Sequence, residues 1–234
     1  AAQSNWPMFL LDPGHCGLNA AEEVLKPPLK LKWKCTTGNW VVSSPSVVDG
    51  VVYFGSYNHH LYAVDAQDGT VRWRTDLGDD IFSSPAVVDG TVYVGCHSGN
   101  VHALAADTGE VRWAYKTGDE VRSSPTVVDG VVYVGSQDGC LYALSATGGE
   151  VKWKVKTQNY ITSSPAVVDG VVYAGSWDGT VFALRASDGE RLWQFRTQSC
   201  VFSSPAVAEG LVFIGSDDGS VYALDAESGK PVWQ

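Results

Sequence analysis

Six tryptophans, Trp33, Trp73, Trp113, Trp153, Trp193 and Trp233, stand forty residues apart with no insertion or deletion between them. Pro45, Pro85, Pro125, Pro165 and Pro205 keep the same step, each closing a Ser-Ser-Pro triplet. A fixed period near 40 residues with strand-like content marks a propeller or solenoid, whose units cannot bury an apolar face alone and must stack. What recurs in every copy therefore reads as scaffold, and what differs between copies becomes the place to look for function.

Residues 121–160 serve as the template. Residues 121–128 predict a first strand that ends at Asp129-Gly130, and 131–136 a second, rich in β-branched and aromatic residues. Asp138-Gly139 predicts a tight hairpin with positive φ angles. Residues 141–144 form the third strand, and 150–156 the fourth, with Val151, Trp153 and Val155 on one face and lysines on the other. The proline has no N–H, so the first strand belongs on an unpaired edge lining the channel. The fold expected is all-β: a β-propeller of four-stranded antiparallel blades, five 40-residue repeats plus an extra N-terminal outer strand. Residues 1–28 are a lead-in and 29–234 the propeller, with blades near 41–75, 81–115, 121–155, 161–195 and 201–234. Trp33, Trp73, Trp113, Trp153, Trp193 and Trp233 read as structural docking residues between blades, each burying about 150–250 Å².

Five sets of the first three strands face six fourth strands, because 29–35 precedes every blade and 230–234 follows the last. A ring that closes at five with one strand redundant, a longer ring, and association of chains all remain open, and the longer ring is favoured. Self-association to complete or cover the ring follows from the unpaired edges an open end would leave.

The net charge of −10 argues against binding a phosphate backbone. No apolar run approaches the roughly 18 residues that cross a bilayer. Cys16, Cys35, Cys96, Cys140 and Cys200 form no Cys-x-x-Cys pair, and those inside the repeats sit at different phases. Asp138, Asp178 and Asp218 precede glycines but lack the ligand series of a calcium loop. No nucleophile triad, phosphate loop or paired-carboxylate site stands out, so no catalytic residue is assigned.

The segment 63–73, Ala-Val-Asp-Ala-Gln-Asp-Gly-Thr-Val-Arg-Trp, resembles the tryptophan-docking repeat of the pyrroloquinoline-quinone (PQQ) propeller superfamily, Ala-x-Asp-x-x-Thr-Gly-x-x-x-Trp. Residues 223–233 match with Ser228 at the Thr position, and the other copies keep Ala, Gly and Trp. The Trp-Pro lead-in at 5–17 is similar to the segment before the first blade in such proteins. The superfamily holds quinone-dependent dehydrogenases and non-catalytic members, among them an outer-membrane assembly lipoprotein and kinase sensor domains. The resemblance implies the fold. It places this chain in the non-catalytic branch, since the dehydrogenases have eight blades, calcium, a catalytic Asp and often adjacent cysteines. No cofactor is therefore expected.

The Val-Asp-Gly turns on one face are nearly uniform. On the other, the entry to each first strand and the hairpin between second and third strands change from blade to blade. Trp40, Tyr57, Phe82, Arg122, Tyr160, Trp177 and Phe202 make this the candidate binding face. No metal site is assigned; His59, His60 and His97, near two neighbouring hairpins, are weak candidates for one. The expected function is a non-catalytic scaffold for a protein partner, exported to the periplasm or outside the cell, with a cytoplasmic place still open. Glycan or small-ligand recognition at the channel mouth, and a piece of a quinone-dependent dehydrogenase, are the alternatives.

Overall fold

The computed structural model describes residues 8, 9, 12, 13, 15 and 30–233. Five four-stranded antiparallel sheets follow one another along the chain, each taking four consecutive strands in order. Blade 3 shows the pattern: Thr126–Val128, Val131–Gly135, Cys140–Ser145 and Val151–Lys156. The first strands of neighbouring blades approach one another and so surround the axis.

The first strand is shorter than residues 121–128. Pro125 offers no N–H, and the residues before it send theirs elsewhere: Val121 to Cys96 O at 3.1 Å and Ser124 to Ser164 Oγ at 2.9 Å. Asp129 and Gly130, at φ 49° and 71°, make the two-residue turn with both φ angles positive. In the hairpin that follows, Gly139 alone takes a positive φ, contrary to expectation. Asp138 instead accepts hydrogen bonds from the backbone N–H groups of Cys140 and Gly118, both 2.8 Å, and from Tyr142 Oη at 2.5 Å. Burial pushes its carboxyl pKa up, but these bonds outweigh that and hold it below the usual carboxylate value. Its carboxylate is thus committed to the protein itself.

The blades are joined by a repeated set of contacts. Each indole N–H donates to an alanine carbonyl of the next blade: Trp33 to Ala66, Trp73 to Ala106, Trp113 to Ala146, Trp153 to Ala186 and Trp193 to Ala226, all 2.9–3.0 Å. The last four carbonyls also accept a tyrosine hydroxyl, from Tyr53, Tyr93, Tyr133 and Tyr173. The indole lies on a turn glycine with no room for a methyl: a Cβ on Gly149 would come 2.7 Å from Trp113. Nearer the axis, the Ser44 N–H donates to Ser84 Oγ, and the same bond steps through Ser124 and Ser164 to Ser204. The first serine of the triplet accepts from its own blade, Gly135 N–H to Ser123 Oγ at 3.0 Å. The Ser-Ser-Pro repeat is thus a hydrogen-bonded hoop as well as a turn.

Two local features depart from the simple pattern. In the fourth strand Ala143 pairs Trp153 and Leu144 pairs Val151, so Lys152 is a bulge. Val151 consequently turns outward and is exposed while Trp153 is buried, which breaks the expected shared face. Residues 30–35, expected as an extra outer strand, form no ladder, although Trp33 docks as the other tryptophans do. Trp233, at the far end, is 49% exposed, and Val221 and Val232 beside it are exposed too. No helix among the described residues is long and apolar enough to cross a membrane.

The joint can be tested with two glycines of like φ. Gly130 (φ 71°) has nothing within 4 Å of an added Cβ, whereas Gly149 (φ 78°) meets Trp113. Gly130→Ala is expected to cost about 1 kcal/mol, the left-handed strain alone. Gly149→Ala should cost at least about 1–3 kcal/mol more because the indole must move. Urea unfolding of the two variants reads the difference.

His102 is the second test. The same position holds Tyr62, Tyr142, Phe182 and Tyr222 in the other blades, and both His102 ring nitrogens are buried without a hydrogen-bond partner among the described residues. Burial lowers its pKa from 6.5 to about 4. Between those values the unfolded chain takes up a proton that the folded chain refuses. Stability therefore falls as pH drops through that window, by up to about 3 kcal/mol. His102→Phe should remove this component, measured as the change in unfolding free energy between pH 7.5 and 4.5 in the two proteins.

Candidate binding face

Each entry loop is clipped to its own hairpin by one backbone bond. The N–H of Tyr57 donates to Trp40 O, His97 to Asp80 O, Gln137 to Glu120 O, Trp177 to Tyr160 O and Asp217 to Cys200 O, all 2.8–2.9 Å. Because the clip uses main chain only, the side chains at these positions are free to differ, and the two variable loop sets become one surface.

The sequence-predicted residues gather there in two clusters. In blades 1 and 2, Trp40 lies against Tyr57 (ring centroids 5.9 Å apart), Tyr57 meets the edge of His97 (5.6 Å), and His97 stacks with Phe82 (6.4 Å). Arg122 of blade 3 stands over Phe82 at 5.9 Å, a cation–π distance, while pairing with Glu120 at 2.9 Å. Gln137 Nε2 donates to the same Glu120 carboxylate at 3.2 Å. In blades 4 and 5, Trp177 packs on Tyr160 (5.1 Å) and Phe202 (4.1 Å), and its indole N–H donates to Thr162 Oγ1 at 2.7 Å. Trp40 is 71% exposed, and Phe82, Tyr160 and Phe202 are also exposed. The polar group Glu120–Arg122–Gln137 separates the two aromatic clusters.

The three histidines do not converge. His60 Nδ1 contacts Asn58 O at 2.7 Å, and His97 is committed to the aromatic cluster with Glu120 4.0 Å away. His59 instead meets Asp79 and Asp80, the three ligand atoms lying within 4.8 Å of one another. These are the described residues with the donor set for a divalent ion, and Asp79 was missed from sequence. The signal was present in the repeats: His59 takes φ 70° where the other four blades place glycine. Cys35, Cys96, Cys140 and Cys200 are free thiols.

A cleft of about 580 Å³ opens on the opposite face between blades 1 and 2, lined by Asp49, Tyr53, Arg72, Asp89 and Arg112 among others. A cleft of about 260 Å³ recurs between blades 4 and 5 at the equivalent positions Asp169, Tyr173 and Glu209. A groove that returns with the repeat is a product of blade stacking, so the variable face remains the better candidate.

Four-stranded blades docked by Trp on an Ala-x-Asp-type turn define a PQQ-like repeat β-propeller. Residues 29–117 match the family described as "Outer membrane protein assembly factor BamB". Residues 87–234, more than half the chain, match the one described as "Beta-alanine-activating enzyme, beta-propeller", and the chain belongs to that family. No curated protein matches the chain. Among solved structures, BamB from Moraxella catarrhalis is 24% identical with a TM-score of 0.78, over 86% of this chain and 63% of its own. Quinohemoprotein alcohol dehydrogenase from Comamonas testosteroni is 18% identical with a TM-score of 0.85, over 99% of this chain and 49% of its own. The computationally designed Ika8 protein is 21% identical with a TM-score of 0.70, over 76% and 56%. The chain thus spans less than two thirds of each, and at these identities the likeness is one of fold.

Replacing His59 by the glycine of the other blades should raise stability by about 0.5–1 kcal/mol, since it relieves a positive φ. The melting temperature of His59→Gly reads this directly. A zinc titration of the same two proteins reads whether the His59–Asp79–Asp80 set binds an ion.

Proposed function

We propose that this chain is a non-catalytic, exported binding scaffold whose entry-loop and hairpin face receives a protein partner. The observation that carries the reading is the pair of exposed aromatic clusters, built where the five internal copies differ and absent from the uniform turns opposite. Aromatic side chains with an arginine are the residue types that dominate protein contact energies, because they bury large rigid areas. The fold likeness to BamB, an assembly factor by its family description, supports a protein partner and a periplasmic place.

A glycan is the second reading, favoured by the Tyr160–Trp177–Phe202 cluster, whose rings suit stacking on a sugar. Trp40→Ala and Trp177→Ala should each weaken partner binding at least tenfold, while Asp107→Ala, exposed on the opposite face, leaves it unchanged. The Trp40 variant should melt within a few degrees of the parent because that side chain stands mostly in solvent. Affinity capture compared across these variants is the measurement. Retention of every partner by both tryptophan variants overturns the protein reading, and a positive glycan array that the Trp177 variant loses replaces it with the second.

A further inference from the structure

The lead-in is not part of any repeat, yet its described residues reach the middle of the molecule. Met8 is buried and belongs to the apolar cluster that also holds Ala86, Tyr93 and Val127 of blades 2 and 3. Pro13 O accepts a 2.6 Å hydrogen bond from the N–H of Val167, on the first strand of blade 4. The His15 ring is buried, with Nδ1 3.0 Å from Pro205 O of blade 5 and Nε2 3.3 Å from Thr126 Oγ1 of blade 3. Phe9 meets the edge of the same ring at 5.5 Å. Three blades are therefore bridged by three residues' length of chain.

The chemistry of these contacts is that of a peptide on a strand edge. The first strand of each blade pairs on one side only, so its outer N–H and C=O groups face the axis and require partners. A peptide laid along such an edge gains main-chain bonds, and its side chains supply the selectivity. Here Pro13 supplies the carbonyl and His15 the side chain. Ala166 and Ala206 stand at the repeat position of Thr126 in blades 4 and 5.

We propose that the axial channel is a binding site for an extended peptide and that the chain's own Pro13 and His15 are its resident ligand. The hydrogen count at His15 fits an exchangeable ligand better than permanent core. Pro205 O only accepts, so Nδ1 carries a hydrogen. Thr126 gives its hydroxyl hydrogen to Pro165 O at 2.6 Å, so toward Nε2 it offers a lone pair. A neutral imidazole has one hydrogen for these two acceptors, and burial opposes the second by lowering the ring's pKa. The neutral ring therefore leaves one contact of the set incomplete. A segment held this way can be displaced by a competing peptide of like chemistry, one with a backbone acceptor followed two residues later by a ring donor.

The test uses the full chain and a fluorescein-labelled peptide of residues 5–17, followed by polarisation. The parent protein should bind it weakly because the channel is filled. His15→Ala should bind it at least about tenfold more tightly, the loss of one buried hydrogen bond in the resident. The peptide bearing alanine for histidine should bind this variant about tenfold more weakly, and adding Thr126→Ala to the variant should weaken it as well. Chymotrypsin, which cuts after Phe9, should cleave His15→Ala about tenfold faster than the parent while the blades keep their melting temperature. If the alanine variant does not fold, His15→Gln takes its place in every arm. Equal peptide binding by parent and variant, or no binding by a folded variant, overturns the proposal. It stands apart from the partner-binding face, whose tryptophan variants leave these readings unchanged.

Discussion

The indole N–H bonded to an alanine carbonyl of the next blade is the contact on which the rest depends. It fixes distance through one 2.9–3.0 Å bond and fixes angle by pressing the ring onto a glycine that tolerates no Cβ. Both partners are paid for locally, since the glycine already occupies a turn at positive φ. At four of the joints a tyrosine hydroxyl uses the second lone pair of the same carbonyl, so that half-buried acceptor is fully satisfied. Each blade is thereby oriented by its neighbour alone, and the loops at either end inherit that orientation.

The two faces differ in how much of this machinery they carry. The Val-Asp-Gly face holds the carbonyls and glycines that receive the tryptophans, and its aspartates adopt φ near 49°. A change there strains a turn or unseats an indole. The opposite face is held by backbone clips and by aspartates such as Asp138, which bond to main chain. Its entry and hairpin side chains bear little of the stability, so they are free to become Trp, His, Glu or Phe according to the contact required. Variation on one face is thus a consequence of where the joint was built.

The blades and the docking tryptophans were legible because a period of forty repeats the same alternation five times. The candidate face was legible for the same reason, as the set of positions where the copies disagree. What escaped has a physical cause in each case. Lys152 leaves the alternation through a bulge, a backbone register change that composition does not mark. The serine hoop joins residues forty apart, so the pattern shows the recurrence of Ser44 and Ser84 but not that one bonds the other. Asp79 joins His59 across a blade boundary, and only the missing glycine at 59 hinted at it. Met8 and His15 have no counterpart in any repeat, so nothing periodic could place them on the axis.

A joint that is local also explains why one arc fits partners of different extent. This chain superposes on 63% of BamB and on 49% of the alcohol dehydrogenase with TM-scores of 0.78 and 0.85. Nearest-neighbour stacking specifies the step from one blade to the next, and small rotations at each step accumulate into the curvature of the whole. The axis is where those rotations converge. A segment that bonds to Thr126, Val167 and Pro205 at once spans three blades and so sums two such steps. The lead-in therefore reads the relative placement of blades 3, 4 and 5, something no blade-to-blade contact can do.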